Sequence, residues 1–198
     1  MVDHKMENFE IQLVQNAQNG NHKAFEKLIA LHDKRIYQLA FGVVGNIHDA
    51  QDIYQETFLN AWSRLQTYAF DGAFGAWLNR IVINLSINKL RQKRRRKWLD
   101  FTENKDEFNG WRNRAHTDSS PGPDRLVISE EIGTQVQKAL ADLPAKQRAI
   151  FVMKHFHGMK ITEIAGTLEC AEGTVKNQLF RATQKLKIHF KRLYNENT

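Results

Sequence analysis

The sequence predicts an all-α protein built from two small helical domains joined by a flexible linker. Three observations carry that prediction. Apolar residues recur at three- and four-residue steps through both ends of the chain, the period of a helix with one buried face. No stretch sustains the two-residue alternation of a strand. Residues 98–128 break the helical period, are rich in Asn, Asp, Gly and Ser, and contain Pro121-Gly122-Pro123, which is a linker signature.

Residues 9–19 read as the first helix. The second is expected over 24–44, where Phe25, Leu28, His32, Ile36, Leu39 and Val43 form one stripe. Asn21 is placed to cap it, and Gly42 and then Gly45-Asn46 weaken and end it. The third helix runs from about Asp49, a candidate cap, to Leu65, with Ala50, Ile53, Thr57 and Ala61 in phase. A turn containing Asp71-Gly72 follows. The fourth helix spans about Phe74 to Arg96, burying Phe74, Trp77, Leu78, Ile81, Val82 and Leu85. Beyond the linker, helices are expected near 129–142, 146–156, 161–168 and 172–193. Pro144 suits a helix start, because its missing N–H has no partner there in any case. The organisation is then a domain over 1–97, a linker over 98–128 and a domain over 129–198. The linker spans about 30 Å as a flexible coil and about 100 Å drawn out, enough to hold two domains on separate sites. Its Trp98, Phe101, Phe108 and Trp111 are unusual for a purely solvated tether.

Charge is unevenly placed along the 198 residues. The chain is net +7, but residues 89–97 carry seven basic and no acidic side chains, and residues 129–198 are net +4. Residues 1–88 and 98–128 are each net −2. A local excess of this kind suits a polyanion. One cysteine, Cys170, excludes an internal disulfide and fits a reducing compartment. The N-terminus lacks the apolar run of a secretory signal, and no stretch approaches the roughly 18 apolar residues of a membrane span. A cytoplasmic protein without membrane insertion is expected.

The strongest local pattern runs from Ile161 to Leu179. Two short helices flank a tight turn near Glu169 to Ala171. Ile161, Ile164 and Leu168 give the first an apolar face, and Ala165 is small where a second helix must cross closely. Val175, Leu179, Ala182 and Leu186 line the inner face of the second helix. Its outer face carries Lys176, Asn177, Phe180, Arg181 and Lys185, side chains able to bond base edges or phosphates in a major groove. A plain helical hairpin with a solvated outer face is the simpler reading, and the basic, Asn-bearing surface argues against it.

The block Lys89, Arg91, Lys93, Arg94, Arg95, Arg96 and Lys97 is too dense for a helix to keep its charges apart, so a phosphate backbone is a natural counter-ion. A solvated helix end matched to the helix dipole is the plainer alternative. Just upstream, Tyr68, Phe70, Phe74 and Trp77 supply aromatic faces on which unstacked bases can sit. Phe74 and Trp77 are expected to be mainly core, and Tyr68 and Phe70 more exposed. Asn84 and Asn88, on the polar side of the fourth helix, are candidates for reading a base that has left the stack. Asp49, Asp52, Gln55 and Glu56 form an acidic-polar surface that would repel DNA and so suits a protein.

Catalysis is disfavoured. Phosphoryl transfer with a metal needs clustered carboxylates. Asp49, Asp52 and Glu56 could share a face but lack any nearby basic or His partner except His48. His155 and His157 point to different faces, and Cys170 has no companion ligand. No cofactor or metal is expected.

These pieces together resemble the extracytoplasmic-function branch of the sigma-70 family, over about residues 9–97 and 129–193. DAQDIYQETFLNAW (49–62) is similar to the region 2 helix that docks on the polymerase clamp. FGAWLNRIVINLSINKLRQKRRR (74–96) is similar to the helix that melts the promoter and reads its −10 element. The span 140–187 resembles region 4, which reads the −35 element. The resemblance implies that Asp49, Asp52, Gln55 and Glu56 bind core RNA polymerase. It implies that Tyr68, Phe70, Asn84, Asn88, Arg91, Arg94 and Arg95 serve the −10 strand, and that Lys176, Asn177, Phe180 and Arg181 face the −35 groove. It also implies promoter DNA and an anti-sigma factor as partners. A stand-alone helix-turn-helix regulator is the alternative. It accounts for the C-terminal unit but not for an N-terminal domain ending in seven basic residues beside an aromatic turn.

Overall fold

The computed structural model describes residues 2–70, 72–103 and 135–196, and these are helical with no strand among them. Four long helices build the N-terminal part: α1 (Val2–Gln18), α2 (His22–Val44), α3 (Ile47–Arg64) and α4 (Phe74–Glu103), with a 3₁₀ turn at Leu65–Thr67 after α3. The C-terminal part holds α5, described over 135–141, then α6 (Ala145–His155), α7 (Ile161–Thr167) and α8 (Glu172–Glu196).

The helices start and stop where local chemistry asks. The Asn21 side chain accepts from the Ala24 N–H at 3.2 Å, as the sequence suggested. Gly45, in the left-handed region at φ 67°, closes α2 by donating to the Phe41 carbonyl. Gly42 does not interrupt α2, which runs through it to Val44. Asn46, not Asp49, caps α3, accepting from the Asp49 N–H at 3.0 Å. Asp49 instead sits inside the first turn, where its charge meets the helix dipole.

The helix α2 lies at the centre of the N-terminal bundle, packed on α1, α3 and α4. Leu28, Ile36, Leu39 and Val43 from α2 meet Val14, Ile53, Leu78, Val82 and Ile83 in one buried cluster. The first helix begins at Val2, well before the expected residue 9. The fourth extends to Glu103, beyond the expected end near 96, so the start of the expected linker is helical. The remainder of that linker, with Phe108 and Trp111, lies outside the described residues. So do residues 129–134 of the expected fifth helix, Asp71 of the turn and the side chain of Phe101. In the C-terminal part, α8 packs on α6 and α7, and these helices also touch α2 and α4.

Candidate nucleic-acid interface

The two halves each carry a polar face. In the C-terminal half, Glu163 accepts from the Lys160 N–H at 2.7 Å and so fixes the start of α7. Glu169 takes φ 49°, and Cys170 donates back to the Ala165 carbonyl at 3.0 Å, which makes the sharp turn into α8. Ile164, Ala165, Leu168, Val175, Ala182 and Leu186 are buried between the helices. That leaves Lys176, Asn177 and Arg181 exposed, with Phe180 showing 63% of its surface to solvent. An aromatic ring so exposed on a polar helix contributes little to folding, so its apolar surface is free for a base methyl or sugar. Lys176 is partly neutralised by Glu172 one turn before it, at 3.7 Å.

In the N-terminal half, α4 buries Leu78, Val82, Ile83 and Ile87. Its Arg80, Asn84 and Asn88 recur every four residues, share the opposite face and are exposed. Along the rest of the helix, Arg91, Arg94, Arg95, Arg96 and Lys97 are also exposed. They pair with no carboxylate among the described residues. Lys89 and Lys93 behave differently. Lys89 reaches Asp52 at 3.1 Å and Asp49 at 3.6 Å, and Lys93 pairs with Asp49. The hydrogen bond to Asp52 is the main cause that holds the Lys89 ammonium above its usual range. The acidic helix and the basic helix therefore neutralise each other along their seam, and the expectation that these carboxylates lack a basic partner is corrected.

The aromatic turn differs from expectation at one residue. Tyr68 is buried, not exposed: its ring packs against Phe70, Phe74 and Trp77 at 5.0 to 5.5 Å, and its hydroxyl donates to the Gly72 carbonyl. A buried hydroxyl needs such a partner, and the turn supplies it. The Gln18 side chain donates to the Leu65 and Tyr68 carbonyls at 2.9 and 3.1 Å, tying the turn to α1. Phe70 is 38% exposed and holds φ 57°, a left-handed conformation that costs a non-glycine residue about 1–3 kcal/mol. A rigid base thus presents one strained, solvent-facing ring.

On α3, Asp52, Gln55 and Glu56 are exposed and Asp49 is 7% exposed. The sequence reading missed Leu59, which is 70% exposed. It follows Gln55 and Glu56 by four and three residues and so lies on their face. Helical phase alone could have found it, because an apolar residue out of register with the core stripe must meet solvent or a partner. Among the described residues no group of three or more His, Cys, Asp or Glu side chains is placed to hold a metal ion. Nor is any helix among them long and apolar enough to cross a membrane.

Two helical units, one a helix-turn-helix with a polar outer face and one a long helix with a basic end that follows an exposed ring, define a class: transcription initiation factors of the sigma type. The comparisons agree. The family model for Sigma-70 region 2 matches residues 28–96, and that for Sigma-70 region 4 matches residues 133–186. The ECF RNA polymerase sigma factor SigW of Bacillus subtilis is 29% identical over 174 residues, 88% of this chain and 92% of that one. The RNA polymerase sigma-H factor of Pseudomonas aeruginosa is 32% identical over 177 residues, 88% of this chain and 90% of that one. Among solved structures, the sigma factor RpoE of Bartonella quintana, in complex with the anti-sigma factor NepR, superposes with a TM-score of 0.59. It is 22% identical, and the match covers 85% of this chain and 98% of that chain. The chain belongs to the extracytoplasmic-function branch of the sigma-70 family. It directs promoter-specific initiation of transcription by RNA polymerase.

Proposed function

We propose how its faces divide that work. The exposed α3 surface of Asp52, Gln55, Glu56 and Leu59 docks on core RNA polymerase, with Asp49 positioning its edge through Lys93. The ring of Phe70, held by buried Tyr68, and the α4 residues Asn84, Asn88, Arg91, Arg94 and Arg95 receive the displaced −10 strand. Lys176, Asn177, Phe180 and Arg181 of α8 face the −35 major groove. The N-terminal domain over 1–97, prolonged by the end of α4, and the C-terminal domain over 129–198 act at the two elements. The region between them bridges the gap. An anti-sigma factor is the regulator of this reading, as one accompanies the Bartonella relative. The protein works where polymerase works, in the cytoplasm, by binding and without catalysis of its own.

The observation that carries the reading is the exposed, strained Phe70 at the start of α4, followed toward the end of that helix by a row of exposed arginines that meet no carboxylate among the described residues. In vitro transcription with core polymerase is the test. Asp52→Arg with Glu56→Arg should abolish association with the core enzyme while duplex DNA binding by α8 persists. Retained association, or no promoter opened from genomic fragments by the wild type, overturns the assignment.

A further inference from the structure

The end of α4 carries a feature that the division of faces leaves unused. Residues 91–99 are all exposed, so none of them is buried against the rest of the chain. Arg91, Arg94, Arg95, Arg96 and Lys97 meet no carboxylate among the described residues, and like charges one turn apart destabilise a helix. A cationic helix end that stands free in this way gains most from a polyanion laid against it. Within this end stands Trp98, 63% exposed. It lies just beyond residue 96, where the match to Sigma-70 region 2 stops.

One exposed ring alone means little. The register of this one gives it a meaning. Asn84, Arg91 and Trp98 recur every seven residues, two turns apart, and a straight helix drifts only about 20° over each such step. Arg94 and Arg95 stand one turn before Trp98. The indole therefore prolongs the face that carries Asn84, Arg91 and Arg95. Fourteen residues separate Asn84 from Trp98, which is about 21 Å along the helix axis. At about 3.4 Å per base pair, that length matches roughly six base pairs of duplex.

Resting on the division of faces proposed above, we infer that Trp98 is a further DNA contact, on the duplex just upstream of the −10 element. Duplex DNA is the occupant because Arg94, Arg95, Arg96 and Lys97, all within one turn of the ring, ask for closely spaced phosphates. Upstream is the direction because α4 leads along the chain toward the unit assigned to the −35 element. Paired bases stacked in a duplex offer no open face, unlike the displaced strand at Phe70. The indole instead packs its flat apolar surface on deoxyribose, and its N–H donates to a phosphate oxygen. Such a contact positions the protein without reading sequence. The same pairing of ring and cation stands on α8, where Phe180 is 63% exposed beside Arg181.

The test uses the full chain with core polymerase on promoter fragments. Trp98 lies outside the core and alanine is the better helix former, so Trp98→Ala should keep the wild-type fold. It should weaken promoter binding on the order of fivefold, the loss typical of a contributing interface aromatic. The loss should be equal on spacers of different sequence, and Trp98→Phe should recover most of it. The log–log salt slope should stay at its wild-type value, because no cation is removed. Arg94→Ala with Arg95→Ala should instead make that slope shallower by about 2. A photo-cross-linking Trp98→p-benzoylphenylalanine variant then locates the contact, and it should mark duplex upstream of the −10 element. Wild-type affinity in Trp98→Ala overturns the inference. So does a cross-link to a polymerase subunit, to the −10 element itself, or to no DNA at all. An Asn84→Ala variant that opens promoters as the wild type does overturns instead the division of faces on which the inference rests.

Discussion

At the scale of single residues, Phe70 and Tyr68 divide one task. Tyr68 anchors the turn and Phe70 projects from it under backbone strain. Phe70→Ala removes a part-exposed ring whose packing is on the rim of the core, against Tyr68. It should leave the melting temperature near that of the wild type while promoter opening falls, read by reactivity of unpaired thymines. Tyr68→Phe removes a buried hydroxyl and leaves the Gly72 carbonyl without that donor. About 1–2 kcal/mol of stability should go, measured by denaturant unfolding. On the other face, Arg181→Ala should weaken −35 binding by about 1–3 kcal/mol if it contacts a base edge, with the loss concentrated on the cognate sequence.

At the scale of elements, the partnership of α3 and α4 changes how the basic block counts. Seven cations lie in residues 89–97, but Lys89 and Lys93 are held by Asp49 and Asp52. Seven less two leaves Arg91, Arg94, Arg95, Arg96 and Lys97 for phosphate. Five phosphate contacts give a log–log salt slope of about −4 to −5 for duplex DNA. Asp49→Asn with Asp52→Asn should free the two lysines and steepen the slope to about −6. A titration of binding against salt reads the difference. The extent of α1 and α4 was misjudged for one reason. Both outer ends leave the buried stripe, and a helix continuing into solvent has no apolar period to reveal it. The cap of α3 was misplaced because Asn46 and Asp49 are both good capping residues, and only the backbone conformation at Asn46, φ −138°, chooses between them.

At the scale of the whole molecule, the seam between the two halves should respond to pH. Burial first, and the charge of Arg35 second, hold the His157 imidazole below its ordinary value of 6.5, against a smaller opposing hydrogen bond to the backbone of Gln38. A group whose pKa is lowered by packing takes up a proton more readily once that packing is lost. Packing at the seam is therefore favoured above about pH 6.5 and weakens as pH falls from there through the lowered value. Scattering at about pH 7.5 and about pH 5.5 should show expansion on the acid side. His157→Gln should flatten the change. Expansion of equal size in His157→Gln would place the titrating group elsewhere.

Much of this protein was set by its sequence. The helical period, the Asn21 cap, the Gly45 stop, the helix-turn-helix spacing and the charge blocks are local properties, and each is written in residues a few positions apart. They suffice for an all-α chain with a helix-turn-helix near its C-terminal end, a basic helix end and an acidic helix before it. The tertiary structure decided what depends on distant neighbours. It buried Tyr68 under its own turn, paired Asp49 and Asp52 with Lys89 and Lys93, exposed Leu59, and brought Val152 and Glu169 against Gly42 and Arg80. The physical reason is the same in each case. Period and capping act through the chain's own backbone, whereas burial and ion pairing act through space, between residues that no spacing along the sequence brings together.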